Sequence, residues 1–212
     1  MRAKVSWIQH LTRASTRLSN RLRSVLLRYY PAALRVFPDL STQIALEFIR
    51  TYPTPAAAAR LTLAGLVNFA HQQGYSHPKR LPRCYAHLKG DYAQASLEIV
   101  LVYQGEAVQP ASLLLQMTHT KVDALRELQA LFRQHPDCPI FSSRPGAGEL
   151  LEPALLVKFG DDRQRFPTPA SVQALAGTCP VTDKSGKRKV IKFRKACDRE
   201  WAPFRKPGRL RW

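Results

Sequence analysis

Apolar residues recur every three to four positions along residues 5–30. With Ile8 opening a heptad, the inward positions are Ile8, Leu11, Ser15, Leu18, Leu22, Val25 and Tyr29, and only Ser15 among them is polar. That seam predicts one long helix packed along a partner helix. Arg13, Arg17, Arg21, Arg23 and Arg28 fall off the seam, so the same helix carries a basic flank. Residues 111–135 predict a second long helix, with Leu114, Met117, Ala124, Leu128 and Leu131 on one face and Lys121 interrupting it. The two are expected to pair as an antiparallel coiled coil around a smaller helical insert.

The intervening sequence is punctuated rather than periodic. Pro31 and Pro38 read as helix stops, and Ser41 as the cap of a short helix running to Arg50. Thr54 reads as the cap of one longer helix, with Pro55 in its first turn and Gly74 beyond its end. "YSHPKRLPRC" reads as a proline-rich connection, and residues 92–104 as a helix. Pro136 closes the second long helix. Beyond it "FSSRPGAGELLEPALLVKFGDDRQRF" sets a Pro-Gly-x-Gly turn between two helical segments, and "TPASVQALAG" is a compact helix between a Thr168 cap and a Gly177 stop. The fold class this predicts is mainly α: long coiled-coil-type helices, then a small helical domain containing a helix-hairpin-helix-like turn. The corresponding division is 1–136, a helical region with an insert at about 31–110, and 137–212, a C-terminal domain.

Composition adds that a chain of 212 residues with 45% apolar content can bury a core. The net charge of +18 changes the picture once it is located. Residues 1–35 hold eight Lys/Arg and no acid, and residues 184–212 hold twelve against Asp198 and Glu200. Residues 36–183 hold thirteen of each sign. A neutral body with basic ends suits phosphate neutralisation, in which each contact releases a counterion; solubility or an anionic membrane surface is the competing reading. No apolar run is long enough to span a bilayer, and the N-terminus lacks the apolar core of a signal peptide. The compartment expected is therefore the cytoplasm, in association with the nucleoid.

Metal and thiol chemistry find little support. Cys84, Cys138, Cys179 and Cys197 form no CxxC pair, and the six histidines have no ligand spacing, so free thiols in a reducing compartment are expected. Asp161 and Asp162 are adjacent, and adjacent side chains diverge instead of converging on one Mg²⁺. No metal site is expected within the chain.

Two stretches carry candidate chemistry. In "RPGAGE", Gly146 and Gly148 would let the backbone approach a phosphate, the next helix would offer its N–H groups, and Arg144 would add charge. A plain helix–helix turn has the same composition. In "PVTDKSGKRKVIKFRKAC", Ser185 sits in a turn among Lys184, Lys187, Arg188 and Lys189, with Lys192 and Arg194 following. Attack on a phosphodiester needs an exposed hydroxyl, positive charge for the developing phosphorane and a proton acceptor, for which Asp183 is the nearest candidate. An ordinary basic loop reads the same way, so residues alone leave both readings open.

The order of these features resembles the C-terminal transposase domain of the insertion-sequence one-hundred-ten, one-hundred-sixteen and nine-hundred-two family. Pro145-Gly146, Gly148, Gly160-Asp161, Arg165-Phe166, Ala176-Gly177, Pro180 and Ser185-Gly186 occur in the family's sequence over about 60 residues. "NRLRSVLLRYYPAALRVFPDL" and "TYPTPAAAARL" resemble the family's coiled-coil linker. The resemblance implies a DNA transposase or recombinase of a bacterial mobile element. In that family a resolvase-like N-terminal domain supplies an Asp-Glu-Asp-Asp site for Mg²⁺, the C-terminal domain supplies a serine that becomes linked to DNA, and a structured RNA selects the DNA. It implies Ser185 as nucleophile. DNA contacts are expected from Arg144, Gly146, Gly148, Lys184, Lys187, Arg188, Lys189, Lys192 and Arg194, and contacts to an RNA or DNA backbone from Arg13, Arg17, Arg21 and Arg28. Because the resemblance begins inside the linker, the metal-binding domain and its Mg²⁺ are expected to lie outside this chain, which then reads as a truncated copy. The expected partners are DNA, a guide RNA and a second copy through the coiled coil, with no membrane. The alternative expectation is a non-catalytic, dimerising nucleic-acid-binding protein or regulator of an intact transposase.

Overall fold

A computed structural model describes residues 1–93, 95–144, 146–186, 188–193 and 196, with backbone alone at Arg163, Arg188, Lys189 and Phe193. The protein is mainly α-helical, in two compact units comprising residues 1–131 and 132–212.

The first unit is framed by α1 (Arg2–Tyr29) and the long α7 (Leu97–Arg133). The predicted seam of α1 faces inward: Ile8, Leu22, Val25 and Tyr29 are buried, and Leu11, Ser15 and Leu18 are half-buried. Three contacts tie it to α7. Lys4 pairs with Glu127, Ser15 Oγ lies 3.9 Å from Met117 Sδ, and Arg28 Nη1 donates to Tyr103 Oη at 2.7 Å. The residue number falls on one helix as it rises on the other, so α1 and α7 run antiparallel. The helices expected over 92–104 and 111–135 are one continuous helix, α7, which runs through Pro110. Ala107, Ala111 and Leu114 are buried there, and this packing offsets the hydrogen bond that Pro110 cannot donate. Leu131, expected on the inner face, is exposed. A seven-residue repeat drifts by about 20° per heptad, because a helix turns every 3.6 residues.

Between the long helices lie α2 (Pro31–Val36), α3 (Gln43–Thr51), α4 (Pro55–Ala59), α5 (Leu63–Gln72) and α6 (Leu81–Leu88). Pro31 starts α2 instead of only stopping α1, since proline suits a first helical turn. Ser41 does not cap α3; its amide and hydroxyl both bond Asp39 Oδ1, at 2.9 and 2.7 Å, and Thr42 holds the cap position. The single helix expected after Thr54 is two. Thr54 Oγ1 accepts from the Ala57 amide and Thr62 Oγ1 from the Gly65 amide, each at 3.1 Å. Thr62 competes as a second cap, and the helix restarts. Gly74, at φ +64°, ends α5. Phe37, Phe48, Tyr52, Phe69 and Tyr75 form the aromatic centre of this unit, with ring centroids 5.3 to 5.9 Å apart.

The second unit contains α8 (Cys138–Ser142), α9 (Leu151–Phe159), a 3-10 turn at Arg163–Arg165 and α10 (Pro169–Ala176). It also contains an antiparallel hairpin of β1 (Pro180–Ser185) and β2 (Arg188–Phe193) that the reading as a helical domain did not anticipate. The signal was present: Val181, Thr182, Val190, Ile191 and Phe193 are β-branched or aromatic, as strands favour, but the density of charge between them masked it. Phe141, Phe159 and Phe166 pack in series, tilted and then edge to face, with ring centroids 5.6 and 5.5 Å apart, holding α8, α9 and the turn before α10 together. Thr168 Oγ1 accepts from the Ser171 amide at 3.3 Å, and Gly177 closes α10 at φ +72°, as the sequence predicted.

Candidate nucleic-acid interface

Ser185 is the last residue of β1, and the loop after it opens at Gly186 with φ +57°. That left-handed conformation suits glycine, and it leaves Ser185 exposed at the hairpin tip. The backbone register sets Arg188 opposite Ser185, and Lys189 opposite Lys184. Like charges directly across a ladder repel, so the tip concentrates positive charge at an energetic cost that an anion would relieve. Asp183, the candidate proton acceptor, instead bonds Lys192 Nζ at 2.7 Å. All of β1 is exposed. Lys187 and Arg194 lie outside the described residues.

The Pro-Gly-x-Gly turn behaves differently from its expectation. Gly146 adopts φ +79°, and Arg144 stacks over the Phe141 ring at 5.9 Å. The start of α9 is partly self-satisfied: the Leu151 and Glu152 amides both donate to Gly148 O, at 2.8 and 3.2 Å. The next residue is Pro153, which has no N–H, and Glu152 places a negative charge in the first turn. Few free donors remain there for a phosphate. Nearby, a cavity of about 510 Å³ is lined by Arg144, Asp162, Thr168 and Gln173 with the rings of Phe159 and Phe166. Ser185 is not part of it.

The two adjacent aspartates diverge as expected. Asp161 Oδ1 faces His135 Nε2 at 3.4 Å, whereas Asp162 Oδ1 accepts from the Gln164 amide at 2.9 Å. The other nitrogen of His135 accepts from the Asp137 amide at 3.2 Å, so both ring nitrogens are engaged. Among the described residues no three His, Cys, Asp or Glu side chains converge as metal ligands. Cys84, Cys138 and Cys179 are free; burial pushes the Cys84 thiol up, against the pull of Arg80 and Arg83.

On the first unit, Arg13, Arg17 and Arg21 are exposed. Their four-residue spacing forms one row along α1. Arg28 is occupied by its bond to Tyr103. Sequence reading missed a second basic group. The 3-10 turn Pro78–Arg80 leads directly into α6, and Lys79, Arg80 and Arg83 are exposed there. The signal that would have revealed it is the lack of any acid between Glu47 and Asp91, hidden when residues 36–183 are counted together.

Residues 138–200, from α8 through the hairpin, match the family described as transposase IS116/IS110/IS902. Through that domain the chain belongs to the IS116/IS110/IS902 transposase family. It is 32% identical over 183 residues to the IS117 mini-circle protein of Streptomyces coelicolor, which is named as a transposase, covering 82% of this chain and 44% of the relative. It is 33% identical over 189 residues to a 43.6 kDa protein of insertion element IS110 from the same organism, covering 86% of this chain and 45% of that one. The chain thus spans less than half the length of these curated relatives. No solved structure matches it. No helix among the described residues is long and apolar enough to cross a membrane.

Proposed function

We propose that this chain acts on DNA in the transposition of an insertion sequence, with Ser185 as the nucleophile of strand transfer. The observation that carries the reading is the hairpin tip: an exposed serine before a left-handed glycine, beside two lysines forced opposite each other. In the proposed step Ser185 Oγ bonds to phosphorus as the bond from phosphorus to one deoxyribose oxygen breaks. The serine proton passes to solvent, because Asp183 is engaged by Lys192, and the departing oxygen takes up a proton. One phosphodiester is exchanged for another, so no external energy source is needed. Lys184 and its basic neighbours would stabilise the added negative charge. The Mg²⁺ chemistry of the family would come from a resolvase-like domain outside this chain, and selection of the DNA from a structured RNA.

The test is a trapping assay. The chain is incubated with Mg²⁺, labelled duplex DNA from the flanks of its own reading frame, RNA transcribed from those flanks, and a full-length relative whose aligned serine is alanine. A DNA adduct of this chain that survives denaturation is expected, and Ser185→Ala should abolish it. Salt-sensitive binding without any adduct, unchanged by Ser185→Ala, would instead establish a non-catalytic binding protein.

A further inference from the structure

We propose that the helical insert carries its own contact to duplex DNA, formed by Lys79, Arg80 and Arg83 at the junction of the 3-10 turn and α6. The proposal rests on the DNA-acting reading above and adds a site to it. Residues 48–90 contain six Lys/Arg, three His and no acid, and they fold together as α4, α5 and α6 with the end of α3. Not all six cations are available. Arg50 is paired with Glu47, and Lys89 donates to the Ala59 carbonyl and lies 5.4 Å from the Tyr85 ring centre. Lys79, Arg80 and Arg83 are exposed, and no carboxylate pairs with them among the described residues.

Their placement is rigid. Leu81, Cys84 and Leu88 are the buried face of α6, which packs against α2 and α5. That face locks the helix, with Arg83 exposed on α6 and Lys79 and Arg80 exposed in the 3-10 turn that leads into it. Apart from Asp39, Glu47 and Asp91, the acids of the first unit lie on α7, as Glu98, Glu106, Asp123 and Glu127. Residues 48–90 themselves contain no acidic side chain, which suits a polyanion-binding surface.

The choice of duplex over single strand follows from the aromatics. Single strands are gripped by exposed rings on which bases stack. In this insert Phe48 and Phe69 are buried, and Tyr52, Tyr75, Tyr85 and Tyr92 are partly covered. Charge without stacking platforms fits a paired backbone whose bases are already stacked on one another.

The experiment measures binding of the full chain to a fluorescent duplex DNA of about 30 base pairs between about 50 and 200 mM salt, beside a single strand and an RNA duplex of the same sequence. It compares the wild type with Lys79→Gln/Arg80→Gln/Arg83→Gln. A control of equal charge, Arg2→Gln/Arg35→Gln/Arg126→Gln, removes three exposed cations elsewhere. The expected result is a shallower dependence of log affinity on log salt, by about 2 to 3, and at least about a tenfold weaker Kd for the insert variant than for the control. Unchanged melting by circular dichroism shows that the variant folds. An insert variant that matches the control overturns this contact and leaves the DNA reading standing. Failure of the wild type to bind any duplex DNA overturns both. A loss confined to single strands or to the RNA duplex overturns the assignment to duplex DNA.

Discussion

Tyr29 and Tyr30 stand side by side at the end of α1, each 1% exposed. The Tyr29 hydroxyl donates to Pro53 O at 2.8 Å, whereas the Tyr30 hydroxyl has no hydrogen-bond partner among the described residues. Burial pushes both phenols well above their ordinary range, so both stay neutral wherever the protein is folded. A buried hydroxyl without a partner keeps its desolvation cost and gains nothing in return. Tyr30→Phe is therefore expected to raise the melting temperature, and Tyr29→Phe to lower stability by about 1 kcal/mol; parallel thermal melts check both. Asp39 offers a test by pH. The Ser41 hydroxyl and amide, opposed by slight burial and helped by Arg23, hold its carboxyl below 3.8. A depressed folded value means that the stabilisation is complete above the unfolded value and is lost as pH falls through the folded one. Asp39→Asn should thus be less stable than wild type at neutral pH, with the gap closing below about pH 3.8 in acid titrations of the melting temperature.

At the scale of elements, the pairing of α1 with α7 decides what the heptad seam is for. Periodicity shows that a stripe must be covered but not by which helix, so a second copy of the chain and a distant helix of the same chain read identically. The contacts from Lys4, Ser15 and Arg28 to α7 place the partner within the chain. Leu22→Asp, at a fully buried position, should therefore unfold the first unit rather than merely separate copies, costing more than about 3 kcal/mol. Circular dichroism and sizing on the same sample separate these outcomes; a well-folded monomer would refute this use of the seam. Lys4→Gln, at an exposed pair, should cost less than about 1 kcal/mol. Element boundaries were the least legible features. Thr62 as a second cap, α7 running through Pro110 and the β1–β2 hairpin all depend on packing partners that a linear pattern does not contain.

For the whole molecule, a net charge of +18 makes association with polyanions steeply salt-dependent. Heparin is expected to raise the melting temperature at about 50 mM salt and to lose most of that effect by about 200 mM, since linkage through binding weakens with affinity. Summing charge along the chain misplaces part of it. The count over residues 36–183 cancels, yet within it Lys79, Arg80 and Arg83 fall in the insert and four acids fall on α7. Ion pairing then removes some cations from use and not others, as Arg50 and Lys192 show.

By itself the sequence determined the helical class, the inward face of α1, the Thr168 and Gly177 limits of α10 and the order of motifs that identifies the family. Each is a local or periodic property, set by backbone preference and by the side chains within one or two turns. Only the tertiary structure decided which contacts join α1 to the α7 that the pattern offered as its partner, that Ser185 ends a strand opposite Arg188, that Asp183 is held by Lys192, and that the first amides of α9 are already bonded. Those outcomes depend on which distant groups meet. Hydrogen bonds and ion pairs act over a few ångströms, and the distance between two residues along the chain does not say whether folding brings them that close.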